Sequence, residues 1–201
     1  MKRSKLRIKS AMGHIETLIN DPGESRCGLA FIAHPHPLHG GTMDNKVVLS
    51  LAQTCYEQGY VAVRPNFRGV GSSDGDYTGG IGETEDMLAL IDFVRGHYAA
   101  DLPIVLAGFS FGGYVQHRVA QQLPVRKLVL IGPAVNLYEF GNVPASTSVI
   151  HGINDEIVPH AEAQVWAQNQ GIHFHTINDT GHFFHGKLAE LKSAVLTACQ
   201  L

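Results

Sequence analysis

The chain has 201 residues, of which 44% are hydrophobic and 16% are charged, so it is long enough to bury a large core without disulfide or metal support. Its 15 basic and 18 acidic residues give a formal net charge of −3 at pH 7, which excludes the basic surface that nucleic-acid binding requires. The 22 glycines and 9 prolines are scattered without a period, which excludes collagen-like and low-complexity classes.

The N-terminal segment predicts a cytoplasmic protein. Residues 1–10 are positively charged, but the apolar stretch of about 7–15 residues that a secretory signal requires does not follow. No run of about 18 apolar residues occurs, so no membrane partner is expected. The cysteines, Cys27, Cys55 and Cys199, are odd in number and contain no CxxC, a pattern typical of buried thiols in a reducing compartment.

Two short segments near the start alternate polar and apolar residues. They are Lys5–Lys9 and His14–Ile19, joined by a short link that contains Gly13. Alternation with a period of two indicates strands with one buried face. The pair therefore predicts an antiparallel hairpin, half exposed at the edge of a sheet.

Apolar runs then alternate with helical stretches to the end of the chain. The predicted strands are Gly28–Ala33, Tyr60–Arg64, Pro103–Ala107, Lys127–Ile131, Ser148–Ile150 and His173–Ile177. One helix begins near Lys46, where Asp44 or Asn45 can cap it. Another carries an apolar stripe formed by Met87, Leu90, Ile91 and Val94. The alternation predicts a mostly parallel sheet of about eight strands with helices on both faces, in a single domain over residues 1–201.

One of these strands runs directly into a glycine-rich turn. Residues 108–113 read Gly-Phe-Ser-Phe-Gly-Gly and precede a helical stretch over Tyr114–Gln122. This is a G-x-S-x-G pattern in a strand–turn–helix context, in which the serine is exposed as a nucleophile and glycines let the strand and helix approach. Ser110 is therefore the candidate nucleophile.

A serine nucleophile needs a base and an acid that orients the base. Asp155 follows the next-to-last predicted strand and His182 follows the last. Because the carboxyl ends of parallel strands meet at one edge of a sheet, Ser110, Asp155 and His182 are expected to converge there. Asp179 is a rival acid and His185 a rival base, with His185 expected to begin the last helix.

Four stretches together carry a resemblance to a known family. They are residues 34–48, beginning His-Pro-His-Pro, residues 66–75, residues 108–113, and the pair Asp155 and His182. In these stretches the chain resembles the α/β-hydrolase superfamily, in its small, cap-less carboxylesterase and dienelactone-hydrolase-like branch. The resemblance implies an α/β-hydrolase fold and hydrolysis of an ester or a related acyl bond through a serine acyl-enzyme. Ser110, His182 and Asp155 would form the triad, and no cofactor is implied. Dienelactone hydrolases use a cysteine nucleophile where this chain has Ser110, so that substrate is not implied.

An oxyanion hole needs two backbone donors near the nucleophile. The first is the amide of Phe111, the residue after the nucleophile. The second should lie in the loop after the third strand, where prolines at 35 and 37 have no N–H and leave the amide of His36 rigidly held. The competing donors are the amides of Gly40 and Gly41.

The expected substrate pocket is open. The interval between two late strands, residues 132–147, is too short for a helical lid domain. Apolar candidates for the pocket are Leu38, Phe109, Phe111, Tyr138, Phe140, Phe183 and Phe184. An open, uncharged pocket favours a short-chain ester or a small lactone.

Other functions remain open from the sequence. The same triad is compatible with an acyl transferase or perhydrolase, and the fold is compatible with a non-catalytic binder of small molecules. The 12 histidines show no HExxH spacing, so no metal site is predicted. The segment beginning at Gly69 lacks the lysine of a phosphate loop, and Arg68 is expected to tie that loop down. The chain is expected to be a monomer or a homodimer.

Overall fold

Strands and helices alternate along the chain in a computed structural model that describes residues 2–99 and 101–198. The strands are β1 (Lys2–Ser10), β2 (Gly13–Asp21), β3 (Gly28–Ala33), β4 (Tyr60–Pro65), β5 (Ile104–Phe109), β6 (Lys127–Ile131), β7 (Thr147–Gly152) and β8 (His173–Ile177). The α-helices are α1 (Lys46–Glu57), α2 (Ile81–Arg95), α3 (Phe111–Ala120), α4 (His160–Asn169) and α5 (Leu188–Ala198).

All eight of these strands belong to one sheet, in the order β1-β2-β4-β3-β5-β6-β7-β8. β2 pairs antiparallel with both β1 and β4, and every other neighbouring pair is parallel. The mostly parallel sheet with an antiparallel N-terminal hairpin at its edge is confirmed. The carboxyl ends of β3 to β8 therefore lie along the same edge of the sheet.

Helices cover both faces of this sheet. α1 and α5 pack on one face, where Val48, Leu51 and Val195 join the apolar residues of the central strands. α2 and α3 pack on the opposite face through residues such as Leu90 and Val115. Two buried faces explain why the central strands read as continuous apolar runs. No helix within the described residues is long and apolar enough to cross a membrane.

The hairpin is more buried than its alternation predicts. Arg3, Lys5, Arg7 and Lys9 in β1 are exposed, but Glu16 in β2 is only 4% exposed. Its carboxylate accepts hydrogen bonds from Asn66 Nδ2 at 2.7 Å and the amide of Ser72 at 2.9 Å, and it pairs with Lys5. The expectation of a half-exposed hairpin is wrong for β2, because the loop after β4 covers its outer face.

The cysteines also differ from expectation. Cys55 is buried in α1, whereas Cys27 is exposed, and Cys199 lies outside the described residues. Cys27 precedes β3, and its thiol lies 3.2 Å from the carbonyl of Gln58. The expectation of a buried thiol is wrong there, because Cys27 lies in the surface connection that leads into the strand.

Arg68 fastens the loop after β4 to α2. It is 4% exposed, and its guanidinium donates to Asp86 Oδ2 at 2.8 Å and to the carbonyl of Gly82 at 2.7 Å. The tethering role expected from the sequence is confirmed by these contacts. A buried pair of this kind contributes most visibly when one partner is removed, because the other charge is then left buried and unpaired.

We expect Arg68→Met to lower the free energy of unfolding by about 3 kcal/mol, because it leaves the Asp86 carboxylate buried without its partner. Urea unfolding measures this change. The matched control is Arg7→Met, since Arg7 pairs with Asp74 on the exposed surface and its loss should be barely detectable. Equal effects of the two substitutions would contradict the tethering role.

Candidate active site

Ser110 occupies a one-residue turn between β5 and α3. Its backbone has a φ of 53°, a left-handed value that costs a non-glycine residue about 1–3 kcal/mol. A Cβ at Gly108 would overlap the carbonyl of Gly112, and one at Gly112 would overlap the carbonyl of Ala33. The predicted start of the helix at Tyr114 is wrong, because α3 begins at Phe111, directly after this turn.

Asp155 and His182 lie in the loops after β7 and β8. His182 Nδ1 is 2.8 Å from Asp155 Oδ2, and the two side chains are 2% and 0% exposed. Gly132, after β6, lies beside the pair, since a Cβ there would be 3.3 Å from the His182 ring. The three neighbouring strands therefore enclose a buried carboxylate–imidazole pair.

The Asp155 carboxylate is held on both of its oxygens. Oδ1 accepts from the amides of Ile157 at 2.9 Å and Val158 at 2.8 Å, while His151 Nε2 lies 3.2 Å from Oδ2. Burial by itself raises the pKa of Asp155, but the hydrogen bonds from His151, His182 and Val158 outweigh it and hold the pKa well below its ordinary value. Asp155 is therefore ionised at neutral pH.

The two rival residues lie elsewhere in the same loop. Asp179 is exposed, in a turn with a φ of 54°. His185 is exposed and precedes α5, which begins at Leu188. The expectation that His185 begins the last helix is therefore wrong. Of the two candidate acids, Asp155 is the one that hydrogen-bonds His182.

Ser110 and His182 line the same cavity, which has a volume of about 420 Å³. Its walls are formed by Pro35, His36, His39, Gly40, Gly41, Asn45, Ser110, Phe111, Ala134, Leu137, Tyr138, Ile157, His182 and Phe183. No Lys, Arg, Asp or Glu is among these residues. The cavity is thus apolar on the side of the loops after β6 and β7, whereas His36, His39 and Asn45 make it polar on the side of the loop after β3.

Three of the seven apolar pocket candidates predicted from the sequence line the cavity. Tyr138, Phe183 and Phe111 line the cavity; the other four pocket candidates, Leu38, Phe109, Phe140 and Phe184, do not. Leu38 is 70% exposed, and Phe109 and Phe184 are fully buried, with the Phe109 ring centroid 5.0 Å from that of His182. Phe140 packs on His117 and Trp166 instead.

Three wall residues, Ala134, Leu137 and Ile157, were missed by sequence reasoning. They lie in the short loops after β6 and β7. The signal available was their position just beyond the carboxyl ends of strands, where open α/β sheets bind ligands.

The loop after β3 presents the candidate oxyanion donors. The amide of Gly40 donates to the carbonyl of Pro37 at 3.2 Å, and that of Gly41 to the carbonyl of His36 at 3.0 Å. Within residues 2–99 and 101–198, the amide of His36 donates to no protein acceptor. Phe111 is the first residue of α3, and amides of a first helical turn have no partner within the helix.

His34 lies beneath this loop and received no role from the sequence. It is 0% exposed, and its Nδ1 is 2.7 Å from the carbonyl oxygen of Pro35. The amide of Phe67 donates to its Nε2 at 2.9 Å. Burial lowers the pKa of His34 to about 4, although the Pro35 carbonyl opposes the shift, so the imidazole is neutral at pH 7.

Outside this cavity, the structure offers a larger open groove of about 680 Å³ between the hairpin and the end of α2. The polar side chains Asp21, Arg26 and Tyr98 in its wall already bond one another. Among the described residues, no group of three or more His, Cys, Asp or Glu could hold a metal ion. The cavity at Ser110 is therefore the stronger candidate for a functional site.

Comparison with known proteins identifies the family to which this fold belongs. Residues 21–140 match the family model described as X-Pro dipeptidyl-peptidase (S15 family). A solved structure of an α-β serine hydrolase homologue from Coxiella burnetii is 36% identical, with a TM-score of 0.93 over 99% of this chain and 98% of that chain. The chain belongs to the S15 family within the α/β-hydrolase superfamily.

Two further relatives extend this result. XC6422 from Xanthomonas campestris, described as an α/β serine hydrolase without a lid, is 33% identical, with a TM-score of 0.93 over 100% of this chain and 94% of that chain. The uncharacterized protein RP471 of Rickettsia prowazekii is 31% identical over 91% of this chain and 83% of its own length. The lid-less α/β-hydrolase fold predicted from the sequence is confirmed, and the protein is a hydrolase.

The neutral His34 makes the stability of this hydrolase depend on pH. Its pKa is about 4 in the folded protein and about 6.5 in an unfolded chain. Between these values the unfolded chain binds more protons, so the free energy of unfolding should fall as the pH is lowered from about 6.5 to about 4. Urea unfolding at several pH values measures the slope.

His34→Asn removes one titrating group. Between about pH 4 and pH 6.5, the slope of unfolding free energy against pH should therefore decrease by the equivalent of about one bound proton. His117, whose pKa burial also lowers to about 4, remains in the variant, as does the Asp155 carboxylate. The difference between wild type and variant thus isolates His34. The same dependence of unfolding free energy on pH in the two proteins would contradict a neutral, buried His34.

Proposed function

We propose that the protein hydrolyses carboxylic esters through an acyl-enzyme formed on Ser110. The observation that carries this proposal is the buried hydrogen bond of 2.8 Å between His182 and Asp155, in a protein whose His182 shares a cavity with Ser110. A strained serine, an imidazole and an ionised carboxylate at one sheet edge are the groups that acyl transfer to serine requires.

In the proposed mechanism, Ser110 Oγ attacks the acyl carbon while His182 Nε2 accepts its proton. His182 then gives the proton to the leaving alcohol, and water resolves the acyl-enzyme by the same route in reverse. Asp155 keeps the proton of the neutral imidazole on Nδ1 and stabilises the imidazolium. The amides of Phe111 and His36 bind the oxyanion. This choice is supported by the amides of Gly40 and Gly41, the competing donors, which already donate to backbone carbonyls of their own loop.

The cavity favours a small, uncharged substrate. Its volume of about 420 Å³ and its wall of Leu137, Tyr138, Ile157 and Phe183 suit a short acyl chain or a small lactone. The family description refers to a dipeptidyl-peptidase, but a site for a free amino terminus needs a complementary negative charge. No carboxylate is among the cavity residues, so ester hydrolysis is the better match.

Two alternatives use the same cavity. In an acyl transferase or perhydrolase, another alcohol or peroxide would replace water in the second step, and product analysis with these acceptors distinguishes it from hydrolysis. In a non-catalytic binder, the cavity would hold a small molecule without turnover. The ionised Asp155 paired to His182 favours catalysis, since simple binding needs no such pair.

Ser110→Ala should lower kcat for a short-chain ester by roughly 10³-fold or more, because the nucleophile is lost. Intact-mass analysis after fluorophosphonate treatment provides the direct measurement. Wild type should gain one adduct per chain and the variant none. Circular dichroism checks that the variant is folded. Absence of an adduct on folded wild type would overturn the proposal and favour the binder.

Leu137→Ala should raise KM for a hexanoate ester several-fold while changing kcat little, because it removes apolar wall area that binds the acyl chain. Leu137 is 62% exposed at the cavity mouth, so folding should be unaffected. Leu49→Ala, at a 40% exposed position in α1 outside the cavity, is the matched control. Equal KM values for both variants and wild type would exclude this wall as the acyl site.

A further inference from the structure

His34 uses both ring nitrogens between two backbone segments. Its Nδ1 is 2.7 Å from the Pro35 carbonyl oxygen, and its Nε2 is 2.9 Å from the amide nitrogen of Phe67. Because an amide only donates and a carbonyl only accepts, the proton must lie on Nδ1 and the lone pair on Nε2. One imidazole therefore links the loop after β3 to the loop after β4.

The hydrogen bond from His34 to the Pro35 carbonyl determines the direction of the His36 amide. The peptide between Pro35 and His36 is trans, since the described chain contains no cis peptide. In a trans peptide the C=O and N–H point in opposite directions. By holding the Pro35 carbonyl toward the buried ring, His34 turns the His36 N–H to the other side of that peptide, whose two residues line the cavity with Ser110.

The same peptide is confined from a second direction. The amide of Gly41 donates to the carbonyl of His36 at 3.0 Å, and a Cβ on Gly41 would overlap the Pro35 carbonyl group. The Pro35–His36 peptide thus lies between the His34 ring and the backbone of Gly41. Rotation of the Pro35 carbonyl would break its hydrogen bond with His34 or push it against the backbone of Gly41.

We propose that His34 is a positioning residue for the oxyanion hole, which orients the His36 amide by holding the Pro35 carbonyl. The inference rests on the proposed function, because an oxyanion forms only if Ser110 attacks an acyl carbon. His34 is buried and is not among the residues that line the cavity. It acts through the peptide that it fixes, and its low pKa keeps it a neutral donor and acceptor throughout the neutral range.

Two substitutions separate the two hydrogen bonds. His34→Asn places an amide NH₂ near the position of Nδ1, so it can still donate to Pro35 while losing the Phe67 contact. His34→Gln places its carbonyl oxygen near the position of Nε2, so it can still accept from Phe67 while losing the Pro35 contact. Each variant loses one buried hydrogen bond, which makes the pair a matched control for stability.

We expect His34→Gln to lower kcat about 30- to 100-fold and to change KM less than about threefold. A misplaced oxyanion donor stabilises the transition state less, while the binding of the substrate is affected little. Inhibition by phenylboronic acid, which forms a tetrahedral adduct on an active serine, should weaken by a similar factor. His34→Asn should stay within about fivefold of wild type in both measurements. Thermal unfolding shows whether the two variants are equally folded.

Equal losses of kcat in folded His34→Asn and His34→Gln would overturn the proposal and leave His34 a purely structural residue. If His34→Gln does not fold, Gly41→Ala tests the same peptide from the opposite side and should show the same fall in kcat at constant KM. Wild-type kcat in folded Gly41→Ala would also overturn the proposal. Failure of the proposed function is distinguishable, since wild type itself would then show no fluorophosphonate adduct and no turnover.

Discussion

The left-handed turn at Ser110 is the constraint on which the rest of the site depends. Only a one-residue reversal lets α3 start immediately after β5, and this close approach requires glycine at 108 and 112. The Ser110 amide donates to the carbonyl of Ile131 at 2.8 Å, which ties the turn to β6. The packed sheet thus holds Ser110 in a strained backbone conformation that an isolated peptide would not adopt.

The second requirement is a carboxylate that stays ionised without solvent. Two amides and two imidazoles surround Asp155, and these donors replace the water that burial removes. His151 Nε2 is also 2.9 Å from the Val158 carbonyl, so this imidazole links Asp155 to the same turn whose amides bind it. The carboxylate is consequently fixed in orientation, and through it the tautomer of His182.

The sequence predicted what depends on local pattern and order along the chain. Gly28–Ala33 and Lys127–Ile131 have the predicted bounds, because runs of apolar residues between turns specify buried parallel strands. His173–Ile177 also has the predicted bounds, although it is an edge strand in which only Ile177 is buried. The pairing of Asp155 with His182 followed from strand order. The cavity walls did not, because a loop side chain such as Leu38 takes its direction from tertiary packing. The burial of β2, including Glu16, was not predicted for the same reason, since the segment that covers this strand is distant in sequence.

The N-terminal hairpin has a consequence for how copies of the protein meet. β1 is the outermost strand of the sheet, so one side of its backbone offers unpaired N–H and C=O groups to any passing strand. Its side chains include Lys5, Arg7 and Lys9, all exposed. Lys5 and Arg7 pair with the carboxylates of Glu16 and Asp74 within the same chain, but two such edges brought together would still place basic side chains of one copy beside those of the other. The sheet therefore ends in an electrostatic barrier against intermolecular β-sheet growth, and chemical neutralisation of these lysines would make the protein more prone to aggregation.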